Sequence, residues 1–361
     1  MSKSYRFLYL ASALTLTASA WSADYSLTDL GTLGGFLSTG RAINSSGQVA
    51  GSSWAPGDEE RHAFRHSGGS MSDLGTLGGF SSDAYGINGS GQVVGDSRLS
   101  GDEFWHAFRT TGGTMQDLGT LGGDWSRAYG INSGGDVVGF SVNGDFEDRA
   151  FLYSGTSMTD LGTFGGSLSR AYGINDSGQI VGEAGLTGDA EMHAFLRTGS
   201  SMADLGTLGG TRSSAFGLNA AGTVVGNSLL SGDGEMHAFV YSGSTMTDIG
   251  TLGGAMSSAR SINISGQVVG MSFDASDESH AFIYQSGVLS DLNSLLDGTG
   301  AHWTVMEAHS INDSGQIAGF GYNSTTDSYS AVLLNPTSVP EPATLTVLGL
   351  AGLALLRRRN S

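Results

Sequence analysis

The sequence contains no cysteine and only one lysine, Lys3, among its 361 residues. Without cysteine the fold cannot depend on disulfides. This absence does not exclude an oxidising compartment, because many exported bacterial proteins have no disulfides. The formal net charge is −18, and three arginines (Arg357, Arg358 and Arg359) stand together at the C-terminus. Nucleic-acid binding needs a basic surface that neutralises phosphates, so this composition argues against a nucleic-acid partner. It favours solubility outside the cell.

Apolar runs at the two ends of the chain are both short for a membrane span. Near the N-terminus, Lys3 and Arg6 precede an apolar run over residues 7–17, which is followed by a small-x-small site ending at Ala20. This order predicts a secretory signal peptide over residues 1–20, with cleavage after Ala20. An uncleaved membrane anchor is the alternative.

The chain has 59 glycines, and they recur at fixed places in a long repeat. A segment of the type Asp-Leu-Gly returns every 43 or 44 residues, accompanied by Ile-Asn and His-Ala-Phe segments. Seven such units without a helical period indicate a radial or stacked β architecture. The first residues of the Asp-Leu-Gly segments are Asp29, Asp73, Asp117, Asp160, Asp204 and Asp248, with a degenerate copy at Asp291. The asparagines of the Ile-Asn segments are Asn44, Asn88, Asn132, Asn175, Asn219, Asn263 and Asn312.

Each unit contains four short strand candidates, which in the second unit lie at 84–88, 92–97, 106–110 and 115–119. Four strands in about 44 residues is the size of a β-propeller blade. We therefore predict an all-β fold, a seven-bladed β-propeller over residues 21–335. An open β-solenoid is the competing fold, but it needs polar caps that the sequence does not show.

The two ends of the repeat region predict how the ring closes. The last unit stops after its third strand, near Leu334, and has no fourth strand of its own. A spare strand, residues 25–30, stands at the start of the repeat region. Pairing it with the last blade would close the ring and remove two exposed sheet edges.

The repeat resembles a known bacterial sequence. The combination of Asp-Leu-Gly-x-Leu-Gly-Gly, Ile-Asn-x-x-Gly-Gln-Val-Val-Gly and His-Ala-Phe is similar to the bacterial extracellular HAF repeat, from about residue 25 to about residue 335. The chain departs from that pattern at Arg149, at Ser330 and in its longer seventh unit. The resemblance implies export and a propeller-like repeat, and it implies no settled activity.

The C-terminal tail, residues 336–361, resembles the PEP-CTERM sorting signal of Gram-negative bacteria. Pro340, Glu341 and Pro342 precede the apolar run 343–356, and arginines follow it. The resemblance implies an exosortase-type processing enzyme as partner and transient inner-membrane contact through a short apolar helix. The final location would be outside the cell or on its outer surface. An ordinary C-terminal anchor is the alternative.

Two repeated polar features are candidates for chemistry. Catalysis needs one asymmetric constellation, so the repeated histidines favour a structural ring that hydrogen-bonds turns. The acidic loops lack a dense run of calcium ligands, so we predict that their aspartates are turn residues and that the protein has no cofactor. Calcium binding at these loops is the alternative. The histidines are His62, His106, His193, His237 and His280. The loop aspartates are Asp58, Asp102, Asp145, Asp189, Asp233 and Asp277.

One interruption of the repeat is a candidate binding site. From Asp291 to Asn312 the spacing is 21 residues, against 15 in the other units, and the extra stretch leads into His302 and Trp303. The sequence favours coverage of the closure seam as the role of this stretch. If the chain has one asymmetric site, His302 and Trp303 are its candidate ligand contacts, outside the repeated strands, because tryptophan offers a flat apolar face to a sugar ring. Other tryptophans outside the repeat consensus are Trp54, Trp105 and Trp125.

These features predict a secreted or surface-associated, non-enzymatic binding or matrix protein associated with exopolysaccharide. A secreted polysaccharide hydrolase or lyase on a propeller scaffold is the alternative. Outside the repeated units, the sequence has no Ser-His-Asp order, no His-x-x-x-His pair and no close acidic pair, and this favours the non-enzymatic function. We therefore assign no catalytic or metal-binding residue.

Overall fold

The computed structural model describes residues 25–337, which form 28 β-strands and two 3₁₀ helices, Leu292–Leu295 and Gly298–Gly300. No α-helix occurs in that range, so the all-β prediction is confirmed. Within the same range, no helix is both long and apolar enough to cross a membrane. The predicted signal peptide with its site at Ala20, and the tail from Pro340 with its apolar helix, lie outside the described residues.

The strands follow one another in groups that fold as four-stranded antiparallel meanders. Single parallel bridges between groups, such as the one from Arg61 to Ser81, link three groups at a time into sheets of 12 strands. The first three groups are β2 (Ser38–Ile43), β3 (Val49–Trp54), β4 (Arg61–Ser67) and β5 (Ser70–Asp73); β6 (Gly78–Ile87), β7 (Val93–Leu99), β8 (Trp105–Thr111) and β9 (Thr114–Asp117); and β10 (Gly122–Ile131), β11 (Val137–Asn143), β12 (Asp148–Ser154) and β13 (Ser157–Asp160).

The later groups repeat this order, and the last of them combines strands from both ends of the described chain. Three groups are β14 (Gly165–Ile174), β15 (Ile180–Leu186), β16 (Met192–Thr198) and β17 (Ser201–Asp204); β18 (Gly209–Leu218), β19 (Val224–Leu230), β20 (Met236–Ser242) and β21 (Thr245–Asp248); and β22 (Gly253–Ile262), β23 (Val268–Asp274), β24 (Ser279–Gln285) and β25 (Val288–Asp291). The last group is β26 (Trp303–Ile311), β27 (Ile317–Asn323), β28 (Ser328–Pro336) and β1 (Tyr25–Asp29).

The turn after the first strand of each group depends on the repeated asparagine. In the second group, Asn88 Oδ1 accepts hydrogen bonds from the amides of Ser90 at 3.1 Å and Gln92 at 3.0 Å. Gly91 has φ = 77°, a left-handed conformation that favours glycine. Asn88 Nδ2 also donates to the carbonyl of Asn132 in the next group at 3.1 Å. One side chain therefore closes its own turn and ties two groups together.

These inter-group hydrogen bonds lead back to their starting point. Asn312 in the last group donates from Nδ2 to the carbonyl of Asn44 in the first group at 3.0 Å. Between the third and fourth groups, the Ser133 amide donates to Asp176 Oδ1 at 2.8 Å instead. The remaining bonds run from Asn44 to Asn88, Asn175 to Asn219, Asn219 to Asn263 and Asn263 to Asn312.

Strand β1 pairs with β28 in the register that a fourth strand has elsewhere. Asp29 lies opposite Val332, just as Asp73 in β5 lies opposite Phe64 in β4. The Leu30 amide donates to the carbonyl of Ala331 at 2.9 Å, the counterpart of a bond in the first group. Strand β1 therefore takes the fourth position of the last group, although it precedes that group by about 300 residues.

The apolar core is divided into clusters between neighbouring groups. One cluster joins Val94 and Ala107 of the second group to Ala128, Val137 and Phe151 of the third. Both faces of a group are covered in this way, which explains why small and large apolar residues alternate along its strands. The phenylalanines of the His-Ala-Phe segments are fully buried in these clusters.

The first strands are longer than predicted. Strand β6 begins at Gly78 rather than at residue 84, and Gly78 pairs with Leu99 of β7. The sequence analysis assigns no strand to this glycine pair. A Cβ atom on Gly79 would lie 2.7 Å from the Leu99 carbonyl oxygen, so glycine allows the chain to run along the neighbouring strand.

Candidate functional site

The longer segment before the last group covers the seam where β1 joins. Thr299 Oγ1 accepts a hydrogen bond from the Leu27 amide at 2.7 Å, and the Asp297 amide donates to the Tyr25 carbonyl at 2.8 Å. The Asn293 side chain makes two hydrogen bonds to the backbone of Val305: Nδ2 donates to the Val305 carbonyl, and Oδ1 accepts from the Val305 amide. The segment thus holds β1 and β26 in position.

The two predicted contact residues in this segment have different surroundings. Trp303 is the first residue of β26, is half-buried and packs against the core cluster that contains Val305 and Leu292. The expectation that Trp303 lies outside the repeated strands is therefore wrong. His302 is exposed, and its carbonyl accepts a hydrogen bond from the Ser324 amide at 2.9 Å. The structure does not join the two side chains into one site.

A pocket of about 400 Å³ lies on the opposite face of β26, between the sixth group and the last. Trp303 and Val305 face the core, so the alternation of the strand turns Thr304 and Met306 towards this pocket. We call it the seam pocket. It is lined by Glu278, Ser279, His280, Thr304, Met306, Tyr322 and Tyr329.

Two tyrosines of the last group form the aromatic wall of the seam pocket. The Tyr329 ring is 40% exposed and stacks on Phe320, with ring centroids 5.6 Å apart and planes inclined by 11°. The Tyr322 ring lies 5.0 Å from that of Tyr329, and its hydroxyl donates to Asp327 at 3.0 Å. This hydrogen bond raises the pKa of Tyr322. The corresponding strands of the second group carry Arg98 and Trp105 instead, so the tyrosine pair is not part of the repeat.

Polar groups of the sixth group form the other side of the pocket. His280 Nδ1 donates to Asp291 Oδ2 at 2.8 Å, and Glu278 is exposed beside it. Asp274, Glu278 and His280 can each place a ligand atom within 4.8 Å of the others. One imidazole with two carboxylates suits a transition metal better than calcium. The amides of Glu278 and Ser276 both donate to Asp274 Oδ1 and lower the pKa of that carboxyl.

The repeated histidines have a partner that the sequence analysis did not identify. In five groups, Nδ1 of the His-Ala-Phe histidine donates to the aspartate 11 residues later, at 2.8 or 2.9 Å. In the second group, Asp117 also accepts the Gly119 amide at 2.8 Å. Burial opposes ionisation of Asp117, but the bonds from His106 and Gly119 outweigh it and lower its pKa. The constant spacing of 11 residues was the available signal.

The acidic loops make structural hydrogen bonds in several groups. Asp102 has φ = 60°, and its Oδ1 accepts the Phe80 amide at 2.8 Å. The same bond joins the loop to the chain near the start of the first strand in three further groups, through Asp58, Asp189 and Asp233. These contacts are those of turn residues; calcium binding at the loops stays a prediction.

A known protein family matches one short segment of the chain. A family model described as the PEP-CTERM protein-sorting motif matches residues 338–360. That match implies export, membrane-associated sorting and processing by an exosortase. No curated protein matches the chain.

Solved structures of similar fold share little sequence with the chain. It is similar to TolB from Acinetobacter baumannii at 15% identity and a TM-score of 0.43, over 56% of this chain and 51% of that one, about half its length. A TolB structure from Agrobacterium tumefaciens has 11% sequence identity and a TM-score of 0.43, over 84% of this chain and 91% of that one. The six-bladed β-propeller lectin of Aleuria aurantia has 12% sequence identity and a TM-score of 0.34, over 89% of this chain and 98% of that one. These likenesses concern the fold alone.

Proposed function

We propose that this protein is exported and that it binds a glycan of the extracellular matrix without turning it over. The sorting-motif match at residues 338–360 supports export and an exosortase-type partner. In this proposal the signal peptide is cleaved after Ala20. The tail then contacts the inner membrane transiently, and the mature protein acts outside a Gram-negative cell or on its outer surface.

The proposal takes the described region as a seven-bladed propeller of HAF repeats, with β1 as the strand that closes the ring. Two observations support it. Strand β1 pairs with β28 in the register of a fourth strand, and the asparagine hydrogen bonds run from Asn312 back to Asn44. A closed ring has no free sheet edge, which suits a protein exposed to the extracellular medium.

The composition of the seam pocket carries the binding proposal. Sugar rings pack on aromatic faces and their hydroxyls need hydrogen-bond partners, and this pocket offers both. Tyr329 presents a partly exposed ring, while Glu278 and Thr304 supply polar atoms beside it. A volume of about 400 Å³ lies within the range of ligand pockets. Trp303 supports the strand from the core side, and His302 stays a candidate contact at the exposed end of the same segment.

A non-enzymatic role fits the arrangement of the polar groups. The histidine–aspartate pair occurs in five groups, so it serves the repeat rather than one reaction. A hydrolase or lyase is the second candidate function, and one observation favours it. The carboxylates of Asp274 and Glu278 lie beside His280 at the edge of the seam pocket.

A glycan array probed with the full-length protein tests this proposal, with the release of reducing or unsaturated ends from each retained glycan measured alongside. We expect a defined subset of polysaccharides to be retained and no products to appear. Retention of no glycan would contradict the binding function. Product release that is lost in Glu278→Gln would establish the second candidate instead.

A further inference from the structure

A second cavity lies where the first strands of all the groups meet. Its volume is about 200 Å³, and its lining includes residues of β2, β6, β10, β14, β18, β22 and β26. We call it the axial cavity. The repeat has one equivalent residue per group three positions before each conserved asparagine: Arg41, Tyr85, Tyr129, Tyr172, Phe216, Arg260 and His309. Five of these residues line the cavity: Arg41, Tyr85, Phe216, Arg260 and His309.

The seven residues at this position form an aromatic row and a basic group. Tyr85, Tyr129, Tyr172 and Phe216 follow one another, with neighbouring ring centroids 5.1 or 5.2 Å apart. Arg260, His309 and Arg41 complete the ring in the sixth, last and first groups. The repeat alone predicts seven similar residues, so this division is a departure from it.

The two arginines at the axial cavity lack anionic partners. Within residues 25–337, neither the Arg41 nor the Arg260 guanidinium makes a hydrogen bond or ion pair, and the Nε atoms of both are buried. Each instead stacks on an aromatic residue at the end of the row, Arg41 at 5.0 Å from Tyr85 and Arg260 at 4.8 Å from Phe216. The pKa of Arg260 is lowered overall. Burial is the largest cause and the charge of Arg41 adds to it, while Glu307 acts in the opposite direction.

Two other arginines on the first strands of their groups, Arg127 and Arg170, have acidic partners. Arg127 Nε donates to Asp96 Oδ2 at 2.7 Å, and Arg170 Nε donates to Asp148 Oδ2 at 3.0 Å. Arg41 and Arg260 are partly buried, and a charge removed from water without a counter-charge is unfavourable, so this pair stands out in a chain of net charge −18.

The remaining titratable groups near the arginines do not neutralise them. His309 is neutral near pH 7, because burial and the charges of Arg41 and Arg260 lower its pKa to about 3. Glu307 is the acidic group in contact with His309, at 3.6 Å from Nε2, and its side chain is 36% exposed. One partly solvated carboxylate therefore faces two guanidinium groups.

We propose that the axial cavity binds a small oxyanion between the guanidinium groups of Arg41 and Arg260. Carboxylate, phosphate and sulfate groups match the planar, multiple-donor guanidinium and supply the missing negative charge. The rings of Tyr85 and Phe216, which line the cavity, offer an apolar surface for the body of an organic anion such as an acidic sugar. This site is separate from the seam pocket, and the proposal does not depend on glycan binding there.

Calorimetric titration of the full-length protein with sodium glucuronate, sodium phosphate and sodium sulfate, in a chloride background, tests the proposal. We expect saturable one-to-one binding of at least one of the three, and the preferred probe identifies the source of the oxyanion. Arg41→Gln and Arg260→Gln should each weaken binding by about tenfold or more, since each removes charged hydrogen bonds. Arg212→Gln is the matched control, because Arg212 is exposed on β18 and the same charge is lost.

Thermal unfolding of each variant shows whether it folds. If a glutamine variant does not fold, the lysine variant at the same position keeps the charge, loses the planar fork and should also bind more weakly. Absence of binding by all three probes would overturn the proposal. So would binding that survives in the Arg41→Gln, Arg260→Gln double variant.

Discussion

At the scale of single residues, the fold relies on side chains that serve two groups at once. Asn88 closes a turn and bonds the next group, and Asp117 holds both His106 and the following turn. Such residues explain why the repeat keeps polar groups at fixed positions. Each one satisfies backbone groups that the turns leave unpaired.

Gly95 is required by close contact with the backbone, and its substitution should be severe. A Cβ atom at this position would lie 1.8 Å from the carbonyl oxygen of Asp83 and 2.9 Å from the Phe108 ring. We expect Gly95→Ala to lower the free energy of unfolding by about 3 kcal/mol or more. Gly234→Ala is the control, since no atom lies within 4 Å of its Cβ position. Equal denaturant midpoints for the two variants would show that the contact is not required.

His309 should make stability depend on pH in the acidic range. Its side chain is 14% exposed, and its pKa is lowered from 6.5 to about 3 by burial and by Arg41 and Arg260. The unfolded state therefore takes up a proton that the folded state does not, and stability falls as the pH decreases from about 6.5 towards 3.

The comparison of wild type with His309→Gln isolates this contribution. Wild type should lose more unfolding free energy between pH 7 and pH 4 than the variant does, by on the order of 1 kcal/mol per pH unit. Denaturant titrations at both pH values measure the difference. A difference between the two proteins that stays constant with pH would mean that His309 does not titrate as described.

Single contacts were harder to predict from the sequence than repeated ones. The repeat identified the histidines as structural, but their aspartate partner lies on another strand, and the pairing depends on register. Trp303 broke the repeat and was expected at the surface. Strand alternation instead turns it to the core and gives the pocket Thr304, which no sequence pattern marks.

At the scale of elements, composition and spacing predict the four strands of a group well. The predicted strand at residues 106–110 lies inside β8, and the prediction at 92–97 overlaps β7. The start of β6 at Gly78 was missed because a glycine pair is typical of loops. Only tertiary contact with Leu99 makes it part of a strand.

Removal of β1 should destabilise the whole fold. Tyr25 is 1% exposed, and burial raises its pKa to about 12. Deletion of residues 25–34 would remove the Tyr25 side chain from the core cluster that contains Val305 and Leu292. It would also expose the edge of β28. We expect a broad, non-cooperative thermal transition and aggregation, measured by calorimetry and light scattering. A truncated protein that unfolds as sharply as the full chain would contradict the role of β1 in closure.

At the scale of the whole molecule, the repeat provides a symmetric frame and the interruptions provide possible function. The seam pocket and the axial cavity both lie where particular groups depart from the others. The tyrosine pair occurs in the last group, and the unpaired arginines occur in the first and sixth. Sequence periodicity locates the frame, but it does not show which departures meet in space.

Export predicts how the mature chain is processed. The sorting-motif match ends at residue 360, and the proposed signal peptide ends at Ala20. The protein recovered outside the cell should therefore lack residues 1–20 and the arginines Arg357, Arg358 and Arg359. Mass spectrometry of the released protein measures both ends. An extracellular form that retains a peptide ending at Ser361 would show that the tail is not removed by sorting.

The proposed binding function rests on the aromatic wall of the seam pocket, and one titration tests it most directly. The glycan that the array retains best is titrated into wild type, Tyr329→Ala and Trp125→Ala. Trp125 is the control because it is 49% exposed and belongs to β10. We predict that Tyr329→Ala alone weakens binding, by about 0.5–1.5 kcal/mol, or up to about tenfold in Kd. Unchanged affinity in Tyr329→Ala, with loss in Trp125→Ala, would contradict the assignment of the seam pocket.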